Sequence, residues 1–280
     1  MKIFFVYSPA YTKILKEEKV RILVNYAVIG KKGRIEIPSG FPEAIIDSGG
    51  YQLQMGTKTT RTSSIEAYSF WLNTEVVSKR PEVVGYMNLD IMNMDILKYP
   101  SLSEQYTRIC RKNSEDTLKN QEYMESQGLH PIPVWHSGEP IEYLDLYCAK
   151  YDYVSIGGMI SVGIIGKQSI TDLLAFLVQK YPNTKFHLFG IGISGLMAFK
   201  QYRPYSVDFS TWSVPTRFGH SLIEDKKQLL KEVKLTDTER QDIKDNKSLG
   251  FDYIRQTIQQ IKKMEDDVNL FNEPVQGLLL

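Results

Sequence analysis

The chain has 280 residues, 42% of them hydrophobic and 24% charged, which is ordinary globular composition and enough length for one large domain or two small ones. A formal charge of +1 excludes a global basic excess, although a cationic patch on one face would vanish in the sum. Two cysteines, Cys110 and Cys148, exclude a disulfide framework and any zinc site built on three or four thiolates.

The amino-terminal string MKIFFVYSPAY breaks at Pro9 and lacks a long apolar stretch or a small-residue cleavage site. No run approaches the ~20 apolar residues of a membrane span, so a cytoplasmic protein with no membrane partner is expected.

Eight short β-rich apolar runs follow in chain order, each ending in polar or glycine residues. They are KIFFVYS near residue 2, RILVNYAVI from Arg21, AIIDSGG from Ala44, and VVGYMNLD ending at Asp90. The remaining four are HPIPVWH ending at His136, YDYVSIGG ending at Gly158, KFHLFGIG ending at Gly192, and YSVDFSTW containing Asp208. Helical patterns lie between them, such as SIEAYSFWLNTEVVSK and SLSEQYTRICRKNSEDTLKNQEYMESQG, the second with Gly128 as its stop signal.

Parallel strands interleaved with helices over about 215 residues predict an α/β fold of the (β/α)8 TIM-barrel type, with its active site at the carboxyl ends of the strands. Asp47, Asp90, His136, Gly157, Gly158, Gly190, Gly192 and Asp208 all fall at strand ends, and a barrel gathers them at one mouth. A doubly wound open sheet also carries polar strand ends but brings the third and eighth units together less easily. Residues 1–220 are assigned to the barrel. Residues 221–280 are assigned to a carboxyl-terminal helical segment packed on it, with Leu229, Val233, Phe251, Ile254, Ile258 and Ile261 at helical spacing.

Asp47 and Asp208 at one mouth can divide labour. The more desolvated carboxyl handles protons, and the better hydrogen-bonded one attacks an electrophilic carbon. Retaining glycosyl transfer uses such a pair about 5 Å apart and passes through a covalent glycosyl-enzyme. An aspartate that only caps a turn reads the same way in isolation.

His136 in PVWHSGE has three readings: a donor to a ligand, a base, or a histidine satisfying a backbone group. His130, His187 and His220 show no metal-ligand spacing, and Ser48 and Ser194 lack a nucleophile-elbow context. GIGISG around Gly190 resembles a dinucleotide loop only superficially, because its third glycine and downstream acid are misplaced. Glycines 157, 158, 190 and 192 mark sharp turns or close approach of backbone to a flat group such as a purine.

Taken together, these strings resemble the tRNA-guanine transglycosylases. DSGGYQ at 47–52 is similar to that family's DSGGFQ, NLD at 88–90 sits where it has a base-reading aspartate, and SIGG at 155–158 is similar to its paired glycines. HLFGIG at 187–192 resembles its LMGVG string and VPTR at 214–217 its PTR, with order and spacing kept over roughly residues 1–220. The departures are a missing CxCxxC-plus-histidine zinc module, His136 in place of a glutamine, and SVDFSTWSVPTR in place of VDMFD before PTR. That last change leaves Asp208 in the first acidic position and Thr211 at the usual nucleophile position. These departures look more like the DpdA-type DNA guanine transglycosylases of bacteria and phages, which exchange guanine in DNA for a 7-deazaguanine.

The resemblance implies attack by Asp208 on C1′, proton transfer by Asp47, and base recognition by Asp90, His136, Gly157 and Gly158. Ser48 and Gly49 join the base-binding set, and Tyr51 and Phe189 sandwich the ring. It implies DNA as partner, with tRNA as the alternative, a 7-deazaguanine such as preQ0 as the incoming base, accessory modification proteins, and no cofactor or metal. The target base must leave its duplex, and backbone phosphates would meet Lys58, Arg61, Arg203, Arg217 and the stretch Lys31 to Arg34. Two other readings stand beside it: a catalytically silent nucleic-acid-binding paralogue, suggested by Thr211, and a glycoside hydrolase on the same barrel.

Overall fold

The computed structural model describes residues 1–27, 37–50, 64–101, 103–158, 167–191, 202–213, 220–224, 230–245 and 247–270. Eight parallel strands form one sheet: β1 Lys2–Val6, β2 Arg21–Asn25, β3 Ala44–Asp47, β4 Val83–Tyr86, β5 Val134–His136, β6 Tyr153–Gly157, β7 Lys185–Leu188 and β8 Ser206–Phe209. Each expected apolar run supplies one strand. The order across the sheet is β4-β3-β2-β1-β8-β7-β6-β5, so the first and eighth strands are neighbours and Phe4 pairs in register with Asp208.

The sheet is curled into a half-barrel and is not the expected closed barrel, because its end strands β4 and β5 share no ladder. Just past β4 and just before β5, Met87 and Ile132 form an isolated parallel bridge. The Ile132 N–H donates to the Tyr86 carbonyl at 2.8 Å, and the Asn88 N–H donates to the Ile132 carbonyl at 2.9 Å. The string Pro131-Ile132-Pro133 explains the break, because both flanking residues lack an N–H and, of the three, only Ile132 can donate across the seam.

Side chains alternate between the two faces along each strand, as a pleated backbone requires. Ile3, Phe5, Ile22, Val24, Ala44, Ile46, Val154, Ile156, Phe186, Leu188 and Val207 belong to the large core outside the sheet. Phe4, Leu23, Ile45, Met87, Ile132 and Val134 form a separate cluster on the concave face, flanked by Tyr153 and Phe189. Continuing the same period towards the carboxyl ends puts Asn25, Asp47, His136, Gly157 and Asp208 on that concave face.

The helices between strands are α1 Thr12–Glu17, α2 Ile65–Trp71, α3 Glu104–Ser126, α4 Ile141–Lys150 and α5 Lys167–Lys180, with a π-helical turn over Leu72–Val77 prolonging α2. The Ser103 hydroxyl caps α3 by accepting the Tyr106 N–H at 3.2 Å, and Gly128 just past its end has φ +77°.

After β8 the chain departs in part from the expected helical segment. β9 His220–Glu224 and β10 Leu230–Lys234 form an antiparallel hairpin, followed by α6 Asp237–Asp245 and α7 Lys247–Leu270. Ile254, Ile258 and Ile261 of α7 are fully buried. Further along α7, the Glu265 carboxylate accepts the Ile3 N–H at 3.0 Å and Arg21 Nη1 at 2.7 Å, fastening the helix to β1 and β2. No helix among the described residues is long and apolar enough to cross a membrane.

Candidate active site

Three carboxyl groups converge at the carboxyl ends of the strands. Asp47 ends β3, Asp90 lies on the loop after β4, and Asp208 is on β8. They are close enough that the charges of Asp90 and Asp208 both act on Asp47.

Asp47 is held from both sides. Its register partner Asn25 donates from Nδ2 to Oδ2 at 2.5 Å, and the Gly49 N–H donates to Oδ1 at 3.0 Å. Lost hydration is the largest influence on its carboxyl, and with the Asp90 and Asp208 charges it outweighs those two hydrogen bonds, raising the pKa from 3.8 to about 7. Gly49 has φ +76°, and a Cβ there would stand 2.4 Å from Ala27 Cβ and 2.6 Å from Asn25 Oδ1, so this tight return needs glycine.

Asp90 is positioned by the buried polar face of α3. The Thr117 carbonyl accepts Asn88 Nδ2 at 2.8 Å, and Thr117 Oγ1 accepts the Ile91 N–H at 2.9 Å. Asn120 Nδ2 donates to the Leu89 carbonyl at 2.7 Å, and Asn113 Oδ1 accepts the Asn93 N–H at 3.2 Å. The loop is thereby clamped on either side of the acid. Ser48 Oγ donates to Asp90 Oδ1 at 3.0 Å, and His136 Nε2 meets Oδ2 at 2.9 Å. Gly50 closes the packing: a Cβ there would lie 2.5 Å from the Asp90 carbonyl oxygen.

His136 is buried between two acids. Its Nδ1 lies 3.0 Å from Glu139 Oε1, and its backbone N–H donates to Glu139 Oε2 at 3.0 Å. Burial alone would lower its pKa, but the Glu139 charge and the hydrogen bonds to Asp90 and Glu139 overcome that and raise it from 6.5 to about 10. At neutral pH the ring is therefore an imidazolium with both nitrogens engaged.

Gly157 and Gly158 serve His136 directly. A Cβ at 157 would stand 2.9 Å from His136 Cδ2, and one at 158 would stand 2.9 Å from His136 Cβ. Their lack of side chains is what lets the imidazole lie against β6. Phe189 follows β7, 3.7 Å from the same vacant Cβ position at 157, with its ring edge-on to His187 at 4.8 Å. Asp208, which is 6% exposed, accepts the Gly190 N–H on Oδ1 at 2.7 Å.

The structure thus brings together Asp47, Ser48, Gly49, Asp90, His136, Gly157, Gly158, Phe189 and Asp208. Arg203 does not join them. It precedes β8 at the opposite, amino-terminal end of the sheet, where its charge bears on the Met1 amino group. Tyr51, Lys58, Arg61, Arg217, Gly192, Ser194 and the stretch Lys31 to Arg34 lie outside the described residues. Thr211 starts a short 3-10 turn, Thr211–Ser213, beyond β8.

Sequence reasoning missed Glu139, Asn25 and the α3 clamp. The spacing of His136 and Glu139 within HSGE was a usable signal, as was the polar run Asn113, Thr117, Asn120 on one helix face. Asn25 had no local signal, since its role comes from strand register.

Among the described residues, no group of three or more His, Cys, Asp or Glu is arranged to hold a metal ion. Fold and site define an α/β protein with a curled parallel sheet and a carboxylate cluster at its strand ends. No protein-family model and no curated protein matches the chain.

Proposed function

We propose that the chain is a DNA guanine transglycosylase that exchanges guanine for a 7-deazaguanine such as preQ0. The observation that carries the reading is Asp47, a carboxyl poised near pH 7 beside Asp208 on one concave surface. The reading takes the curled sheet as a (β/α)8 barrel whose seam is the Met87–Ile132 bridge, supported by the interior cluster that strands on both sides of it share.

In the first step an Asp208 oxygen attacks C1′ of a deoxyguanosine. The C1′–N9 bond breaks, and the Asp47 proton goes to the departing guanine. In the second step the incoming base gives its N9 proton to the Asp47 carboxylate and attacks C1′. The Asp208 ester bond breaks, and two inversions restore the original configuration. Asp90 meets the base edge, its carboxylate accepting from N1–H and the 2-amino group, and His136, assigned to the same edge, acts through Asp90 by donating from Nε2 to Oδ2 at 2.9 Å. Phe189 offers a ring edge or face to the base, and the resemblance assigns the opposite face to Tyr51.

DNA is preferred over tRNA on the resemblance and the absent zinc module. Lys58, Arg61 and Arg217 are the cations assigned to phosphate. The test incubates purified protein with radiolabelled guanine and either oligodeoxynucleotide or tRNA. Label entering DNA supports the proposal. Label entering tRNA alone overturns the choice of nucleic acid, and label entering neither overturns the enzymatic reading.

A further inference from the structure

His187 lies beside Asp208 on the concave face and is fully buried. Its register partner on β8 is Ser206, whose Oγ is 2.7 Å from His187 Nδ1 and 2.5 Å from the Tyr153 hydroxyl. The other ring nitrogen, Nε2, has no hydrogen-bond partner and stands 3.6 Å from Asp208 Oδ1, the oxygen that also accepts the Gly190 N–H. The ring edges of Phe4 and Phe189 approach at centroid distances of 6.3 and 4.8 Å. A buried polar nitrogen left unmatched is costly and therefore uncommon.

Protons can be placed along Tyr153, Ser206 and His187 in two ways. If His187 carries its proton on Nδ1, it donates to Ser206 and a bare Nε2 lone pair faces the carboxylate oxygen, an acceptor against an acceptor in a dry interior. If Tyr153 donates to Ser206 and Ser206 donates to Nδ1, the proton sits on Nε2 and faces Asp208. Burial pushes the Tyr153 phenol up, so it keeps the proton this second arrangement requires. The attraction between Nε2–H and a carboxylate decides for the second.

We infer that His187 is a positioning residue for Asp208: with its proton on Nε2 it holds, together with the Gly190 N–H, the Oδ1 corner of the carboxylate against the sheet and leaves Oδ2 for the sugar carbon. The inference rests on the proposed exchange chemistry only in naming Asp208 as the attacking group. At 3.6 Å the contact is longer than a hydrogen bond. It tightens in the second step, when the glycosyl ester breaks and negative charge returns to the carboxylate, as contacts in empty sites commonly do.

The test combines imidazole 15N spectra with kinetics, using radiolabelled guanine and an oligodeoxynucleotide. The wild-type His187 spectrum should show the proton on Nε2, and Asp208→Asn or Ser206→Ala should move population towards Nδ1. His187→Phe should lower kcat by about tenfold or more while KM for guanine stays within about twofold, and His187→Gln, which restores a donor near the Nε2 position, should recover most of the loss. A wild-type proton on Nδ1, or equal activity in the Phe and Gln variants, overturns the inference. Should His187→Phe fail to fold, the wild-type and Ser206→Ala spectra decide it. If the wild-type protein exchanges no guanine but the His187 spectrum responds to Asp208→Asn, the coupling stands and the transglycosylase reading falls.

Discussion

His136 Nε2 lies 2.9 Å from Asp90 Oδ2, and the other ring nitrogen, Nδ1, lies 3.0 Å from Glu139 Oε1, so the acid assigned to the base edge is itself neutralised by a buried cation. His136 is raised from 6.5 to about 10. The stability contributed by its protonation is fully present below pH 6.5 and is lost as pH rises through about 10. Glu139→Gln removes the charge that most favours the imidazolium. We expect a loss on the order of 3 kcal/mol near pH 6, narrowing above pH ~10, as measured by urea denaturation across that range.

Asp47 is also raised, from 3.8 to about 7, but here the favoured form is neutral. Its contribution is fully present below pH 3.8 and declines as pH rises through about 7, where the fold must hold an extra buried charge. Asp47→Asn should therefore gain melting temperature over wild type at pH ~8 and show little difference near pH ~4. In the exchange assay the wild-type rate should fall above pH ~7, and the variant should be about 10²- to 10⁴-fold slower.

Gly157 makes room for the His136 ring, so Gly157→Ala forces its new methyl to within 2.9 Å of Cδ2. Either β6 or the imidazole must shift. The expected cost is about 1–3 kcal/mol in denaturant midpoint, together with weaker guanine binding by calorimetry. Gly49→Ala adds left-handed backbone strain to a similar clash and should cost at least as much.

Glu265 joins α7 to the sheet through Ile3 and Arg21. Glu265→Ala strands the Ile3 N–H and removes one of the two carboxylates that Arg21 meets, leaving it Glu43, and should destabilise the protein by about 1–3 kcal/mol. If α7 and the sheet unfold as one unit, circular dichroism and tryptophan fluorescence will report a single shifted transition.

The strands and their polar ends were legible in the sequence because the apolar runs give way to polar or glycine residues, Asp, His or Gly in most of them, and a parallel sheet aligns those stops. The start and end of α3 were legible through Ser103 and Gly128 for the same local reason. The β9–β10 hairpin was not: residues 220–234 are rich in Lys, Glu and Leu, whose helix-favouring spacing hides the strand alternation. The seam at Ile132 was written in its flanking prolines, but their consequence depends on which strand lies opposite. Gly157 and Gly158 were read as openings for a ligand, whereas the nearest group filling the space is His136 from the neighbouring strand. Long-range register decides such matters, and no local pattern encodes it.

In the proposed exchange, Asp208 becomes covalently bound to the sugar while Asp47 manages the proton. Mass spectrometry of protein denatured after incubation with a guanine-containing oligodeoxynucleotide tests it most directly. The expected result is a protein–DNA adduct that maps by peptide digestion to Asp208 and disappears in Asp208→Asn. An adduct at any other residue, or guanine exchange at the wild-type rate in Asp208→Asn, would contradict it.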